Sequence, residues 1–304
     1  MLKKIFSSSR NSVLLLTIML SLAASRLLLR IFDGSTLQYS LAAILLQLFC
    51  FTVPTAAFLY LRFGDGIPEL HLSIPRLTTT PVVASSIFMM ISGAMLIVLL
   101  GGTSEDYAFS SYNGFDVSVQ YSFGEMILTV VAGALVPAIL EELVFRGIFS
   151  AVYSESGAVC AASLSTLFFS LVHMNLASLP VFVFAGTVLW ILFASTRSIY
   201  APITVHFFYN LFCMFGLPYI NAFYGGTLSR ELFIFILTVI LLLSCAVFFA
   251  GLAYVYRKNS ENGTKTVFPH SVGLVDSLKA ILVELCSVST LLCVAIFLAV
   301  ALLM

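Results

Sequence analysis

The stretch Ser122 to Gly147, SFGEMILTVVAGALVPAILEELVFRG, runs from a lipid-like segment straight into two carboxylates and a guanidinium. As a helix, residues 122 to 140 suffice to cross the roughly 30 Å of hydrocarbon in a bilayer. Glu141, Glu142 and Arg146 stand at the end of that run. Burying such groups is costly unless they are paired, and within a membrane they mark a functional site by default.

Working outward, the whole chain reads the same way. Its 304 residues are 61% apolar and 9% charged, with a mean hydropathy of +1.10, which a water-soluble globule cannot accommodate on its surface. Further apolar runs cover residues 11 to 30, 39 to 61, 82 to 100, 158 to 174, 179 to 195, 200 to 218, 230 to 255 and 280 to 303. The expected fold is an all-α, polytopic membrane helix bundle with eight or nine transmembrane helices. The runs at 158, 179 and 200 are short and closely spaced, so they belong inside the bundle, where neighbours satisfy an interrupted backbone. Three regions follow: N-terminal helices and polar loops over 1–119, a core bundle over 120–218, and C-terminal helices over 219–304.

Fourteen basic and fourteen acidic residues leave no net charge and no basic tract, which excludes nucleic acid as a partner. Cys50, Cys160, Cys213, Cys245, Cys286 and Cys293 lie in apolar stretches without C-x-x-C spacing and read as small buried hydrophobes. Lys3, Lys4 and Arg10 precede the first run without a cleavage signature, so that run is expected to be a retained anchor with a cytoplasmic N-terminus in the cell membrane. Arg62, Arg76, Arg197, Arg257, Lys258, Lys265 and Lys279 then fall inside, and the loop with Glu105, Asp106 and Asp116 outside. Arg26 and Arg30 oppose this asymmetry and read as snorkelling side chains. Residues 64 to 81 and 257 to 278 are too polar to span, and Asn262-Gly-Thr264, a glycosylation acceptor by pattern, falls in a cytoplasmic loop.

Three polar segments interrupt the apolar core. In EELVFRG, Glu142 and Arg146 share a helix face four residues apart, an ion pair in the favourable orientation. Glu141 is rotated about 100° away, which leaves it free for chemistry or ligation, while Gly147 permits a close helix approach. In FFSLVHMN, His173 ends an apolar run one turn after Phe169, with Asn175 just beyond. In HFFYN, His206 and Asn210 again lie four apart on one face, able to donate hydrogen bonds toward one point, as an oxyanion site requires. Together these residues can activate water in two ways. Glu141 can act as general base with His173 orienting the water, or Glu141, His173 and His206 can bind a divalent metal such as Zn²⁺. Competing motifs are weaker: there is no H-E-x-x-H, Asp65 of FGDG lies in a polar loop, and Ser92 and Ser170 lack a nucleophile setting.

Taken in order, EELVFR, Phe169 to His173 and His206 to Asn210 resemble the EExxxR, FxxxH and HxxxN motifs of the CAAX prenyl protease and bacteriocin-processing (CPBP or Abi) family, over roughly residues 120 to 218. The resemblance implies a helix bundle around a water-accessible cavity and an intramembrane endopeptidase. It further implies that Glu141 and His173 activate the water, His206 and Asn210 stabilise the oxyanion, and Glu142 and Arg146 support the site, with or without a bound metal. The expected substrate is a membrane-associated or small peptide: a leader, a small secreted peptide or a membrane-protein segment as readily as a prenylated tail. The alternative is a non-catalytic membrane scaffold or immunity protein that keeps the polar core for binding.

Overall fold

Ser122 starts the decisive helix with a reciprocal cap: its hydroxyl accepts from the Glu125 amide, and the Glu125 carboxylate accepts from the Ser122 amide at 2.9 Å. The computed structural model describes residues 11–63, 68–101, 121–216, 229–261 and 272–303, and within them every regular element is a helix. Ten helices follow in order: α1 (Asn11–Arg30), α2 (Thr36–Phe63), α3 (Thr80–Gly101), α4 (Phe123–Ser154), α5 (Ala158–Val172), α6 (Leu179–Thr196), α7 (Tyr200–Leu211), α8 (Arg230–Glu261), α9 (Leu274–Leu285) and α10 (Val288–Leu303). The capped helix is α4. Lys3, Lys4, Arg10, Asp65, the acidic loop with Glu105, Asp106 and Asp116, Lys265 and the Asn262 acceptor sequence lie outside the described residues.

The protein is a multi-pass membrane helix bundle. Six of the described helices are long and apolar enough to cross a bilayer, and α9 with α10 makes a seventh span if the pair, bent by 63°, counts as one. The expected eight or nine is close, and the difference has a physical source. The run at 158 is a shorter helix, and that at 200 is a helix of 12 residues continued by one wide π-turn over Phe212–Gly216. At the α9–α10 break Ser287 caps the new helix, accepting from the Thr290 amide at 3.2 Å, so the chain changes direction without proline or glycine.

Burial sorts the helices into inner and outer sets. In α3, 67% of the most apolar window is buried, against 17% in α2 and 22% in α8, whose exposed Phe49, Leu61, Phe235 and Leu242 form an outer surface suited to lipid. α3 lies between α8 and α6, while α5 packs on α6 and α7 on α3, so the short helices do occupy the interior. Four of the six cysteines are buried as expected, Cys245 is half-buried, and Cys286 is exposed. Cys286 departs from the expectation because it sits at the α9–α10 break, where the chain turns away from the core.

Candidate active site

The polar centre begins with two wide turns in α4. π-Turns over Val131–Leu135 and Leu143–Phe149 flank the regular segment Val136–Glu142 that ends in the two glutamates. Such turns insert a residue into the helical ladder and leave carbonyls for outside donors, often at functional sites. Here Gln47 of α2 donates to the Ala132 carbonyl at 3.0 Å, and Ser165 of α5 donates to that of Phe145 at 2.7 Å. Gly147, within the second π-turn, admits Leu70: a methyl group added there would meet the leucine at 2.9 Å.

Glu142 and Arg146 are both fully buried and joined at 3.0 Å, the expected pair. The structure adds three partners that sequence spacing does not reveal. Glu142 Oε1 also lies 2.9 Å from His206 Nδ1, Arg146 Nη2 donates to the Gly186 carbonyl at 3.0 Å, and the guanidinium lies over the Phe169 ring, 4.4 Å from its centroid. One carboxylate therefore neutralises the arginine and also orients the histidine of another helix. With Glu142 accepting from Nδ1–H, His206 Nε2 is an acceptor in the neutral ring and a donor only in the doubly protonated one.

Glu141, rotated about 100° along the helix, approaches the opposite nitrogen of the same His206 ring. Its Oε2 lies 3.7 Å from His173 Nε2 and 4.0 Å from His206 Nε2. His173 is the C-cap of α5, its ring stacked on Phe182 at 3.9 Å and edge-on to Phe169 at 5.0 Å. Glu141 Oε2, His173 Nε2 and Asn210 Nδ2 are buried and have no hydrogen-bond partner among the described residues. Buried polar atoms of this kind are ordinarily met by water or ligand. The His173 side chain keeps 17% of its accessibility against 5% for His206, so the site is most open on the His173 side. Five of the six residues singled out by sequence thus meet from α4, α5 and α7, and Asn210 is buried one turn beyond His206 on α7. Asn175 instead closes the turn after His173, accepting from the Ser178 amide at 3.0 Å. Ser92 and Ser170 bond back to their own helices, at Phe88 and Thr166, as expected of serines without a nucleophilic role.

The three atoms that could ligate a metal are Glu141 Oε2, His173 Nε2 and His206 Nε2. Their separations of 3.7 and 4.0 Å exceed the roughly 3.3 Å between ligands of a tetrahedral zinc with bonds near 2.0 Å. Among the described residues no group of three His, Cys, Asp or Glu side chains is drawn together tightly enough to hold an ion.

Residues 123–212 match the model of a family described as Type II CAAX prenyl endopeptidase Rce1-like. Over 86 residues the chain is 34% identical to a Bacillus subtilis (strain 168) protein named "Putative membrane peptidase YdiL", in an overlap covering 28% of this chain and 35% of that one. The chain therefore spans about a third of that relative's length. No solved structure matches. All six polar residues of the site lie inside the matched segment. Residues 123–212, which carry the three ordered motifs, are therefore similar to the CAAX prenyl endopeptidases.

Proposed function

We propose that the protein is an intramembrane endopeptidase in which a water shared by Glu141 and His173 attacks a peptide carbonyl. The observation that carries this reading is the trio of buried, unpartnered polar atoms, Glu141 Oε2, His173 Nε2 and Asn210 Nδ2, beside a neutralised Glu142–Arg146 pair. A separation of 3.7 Å between the first two suits one water bonded to both.

The steps balance on these residues alone. Glu141 removes a proton as the water oxygen bonds to the carbonyl carbon, and His173 orients the water. The carbonyl oxygen becomes an oxyanion that accepts from Asn210 Nδ2–H, and from His206 Nε2–H when that ring carries both protons. As the intermediate collapses the C–N bond breaks, and the proton held by Glu141 passes to the departing amine. Glu142 and Arg146 support the site by orienting His206 and Phe169. The described helices of the flanking regions 1–119 and 219–304 pack around this core, and the cell membrane, with the N-terminus inside, is the proposed location.

We infer a membrane-associated or small peptide as substrate, because the site lies within the bundle and opens beside His173. The test is a mass-spectrometric comparison of peptide fragments in membranes carrying wild type, Glu141→Ala or His173→Ala at equal folded yield. Fragments that appear with wild type and vanish with both variants support the peptidase. Full biological function in both variants, with no change in fragments, would sink it in favour of a non-catalytic scaffold or immunity role.

A further inference from the structure

Arg26 lies near the end of α1, far outside the segment that matches the peptidase family. A basic residue at a membrane helix end ordinarily turns its charge to water. Here Arg26 Nη2 instead donates to the backbone carbonyl of His173 at 2.9 Å. That carbonyl closes α5: His173 is the C-cap, and Met174 beyond it turns left-handed, with φ of 48°. The last carbonyls of a helix lack internal partners and carry the negative end of its dipole, so a guanidinium satisfies both needs.

The rest of His173 is held by different parts. Phe182 and Phe169 fix the plane of its ring, while its backbone at the helix end depends on the contact from α1. We propose that Arg26 is a positioning residue of the peptidase site: it anchors the backbone of His173 so that Nε2 stays 3.7 Å from Glu141 Oε2. Helix α1 is then a working part of the site, although it lies before the family segment. This inference rests on the peptidase reading above.

The test compares wild type, Arg26→Met, Arg26→Lys and Glu141→Ala as full-length chains in one detergent at equal folded yield, on a peptide that the wild type cuts. A misplacement of about 1 Å near reacting groups can cost on the order of a hundredfold in rate. Arg26→Met is expected to lower kcat at least tenfold with KM unchanged, and Arg26→Lys, which keeps a cationic donor, to recover most of it. Amide exchange at residues 171–176 is expected to quicken in Arg26→Met and stay near wild type in Arg26→Lys. A wild-type kcat in Arg26→Met, a rise in KM alone, or no rescue by lysine would overturn the proposal. Unchanged exchange at 171–176 would overturn it as well. Full activity of Glu141→Ala would defeat the peptidase reading separately, and the exchange data would then decide whether Arg26 anchors His173.

Discussion

Truncating Glu142 tests how the polar centre is held together. Removing one partner of a buried ion pair costs about 3–5 kcal/mol, because the other charge is stranded. Glu142→Ala strands Arg146, which is wholly buried, and also deprives His206 Nδ1 of its partner. An unsatisfied buried donor adds about 1–3 kcal/mol. Arg146→Ala loses the same pair together with the bond to the Gly186 carbonyl and the cation over Phe169. Each single variant is therefore expected to lose at least about 3 kcal/mol. The double variant leaves no stranded charge and should cost less than the sum, with a coupling of about 2 kcal/mol or more. Denaturant unfolding in one detergent, followed by emission of the chain's single tryptophan, Trp190, reads this out, since Trp190 lies one turn along α6 from Gly186. Single losses below about 1 kcal/mol, or strict additivity in the double variant, would refute the reasoning.

Three further outcomes are expected. In Gly186→Ala the new methyl group would meet Phe169 and Thr166 at 3.1 Å, so stability should fall by about 1–3 kcal/mol, and an unchanged unfolding midpoint would contradict the packing described. His71, between α2 and α3, has its pKa held below the ordinary histidine value by burial, with Glu69 opposing and Arg197 adding to the shift. Because the folded value is depressed, its contribution to stability is complete above about pH 6.5 and is lost as pH falls from there through the folded value. Amide exchange over 68–76, corrected for intrinsic rates, should therefore quicken on acidification and lose that dependence in His71→Gln; a flat wild-type profile would dispose of the idea. Protein verified as metal-free after exhaustive chelation should keep its peptidase activity, whereas loss restored by zinc would reassign Glu141, His173 and His206 as ligands.

What the sequence discloses here depends on whether a contact lies along one helix or between two. Glu142 with Arg146, and His206 with Asn210, are pairs four residues apart, and helical spacing alone places each on one face. Glu142 to His206, Arg146 to Gly186 and Arg26 to His173 join separate helices, and no local pattern encodes them. Arg26 shows the point most clearly: by charge asymmetry it is an anomaly at a helix end, and only the fold gives it a partner. The two π-turns of α4 are hidden for a related reason, since the side chains that stabilise them, Gln47 and Ser165, come from α2 and α5. Hydropathy marks each long span among the described residues, but it registers composition and not direction. The run from 280 to 303 therefore looked continuous, although Ser287 restarts the helix at a bend of 63° and leaves Cys286 exposed.

The most direct measurement is the turnover number of Glu141→Gln on a peptide that the wild type cleaves. The substitution keeps the shape of the side chain and removes its capacity to take a proton from water. General-base catalysis contributes about 10²- to 10⁴-fold, so kcat should fall by that amount while folded yield and Trp190 emission stay at wild-type values. A folded Glu141→Gln protein that cuts the same bond within a few-fold of the wild-type rate would contradict the assignment of Glu141 as the water-activating base.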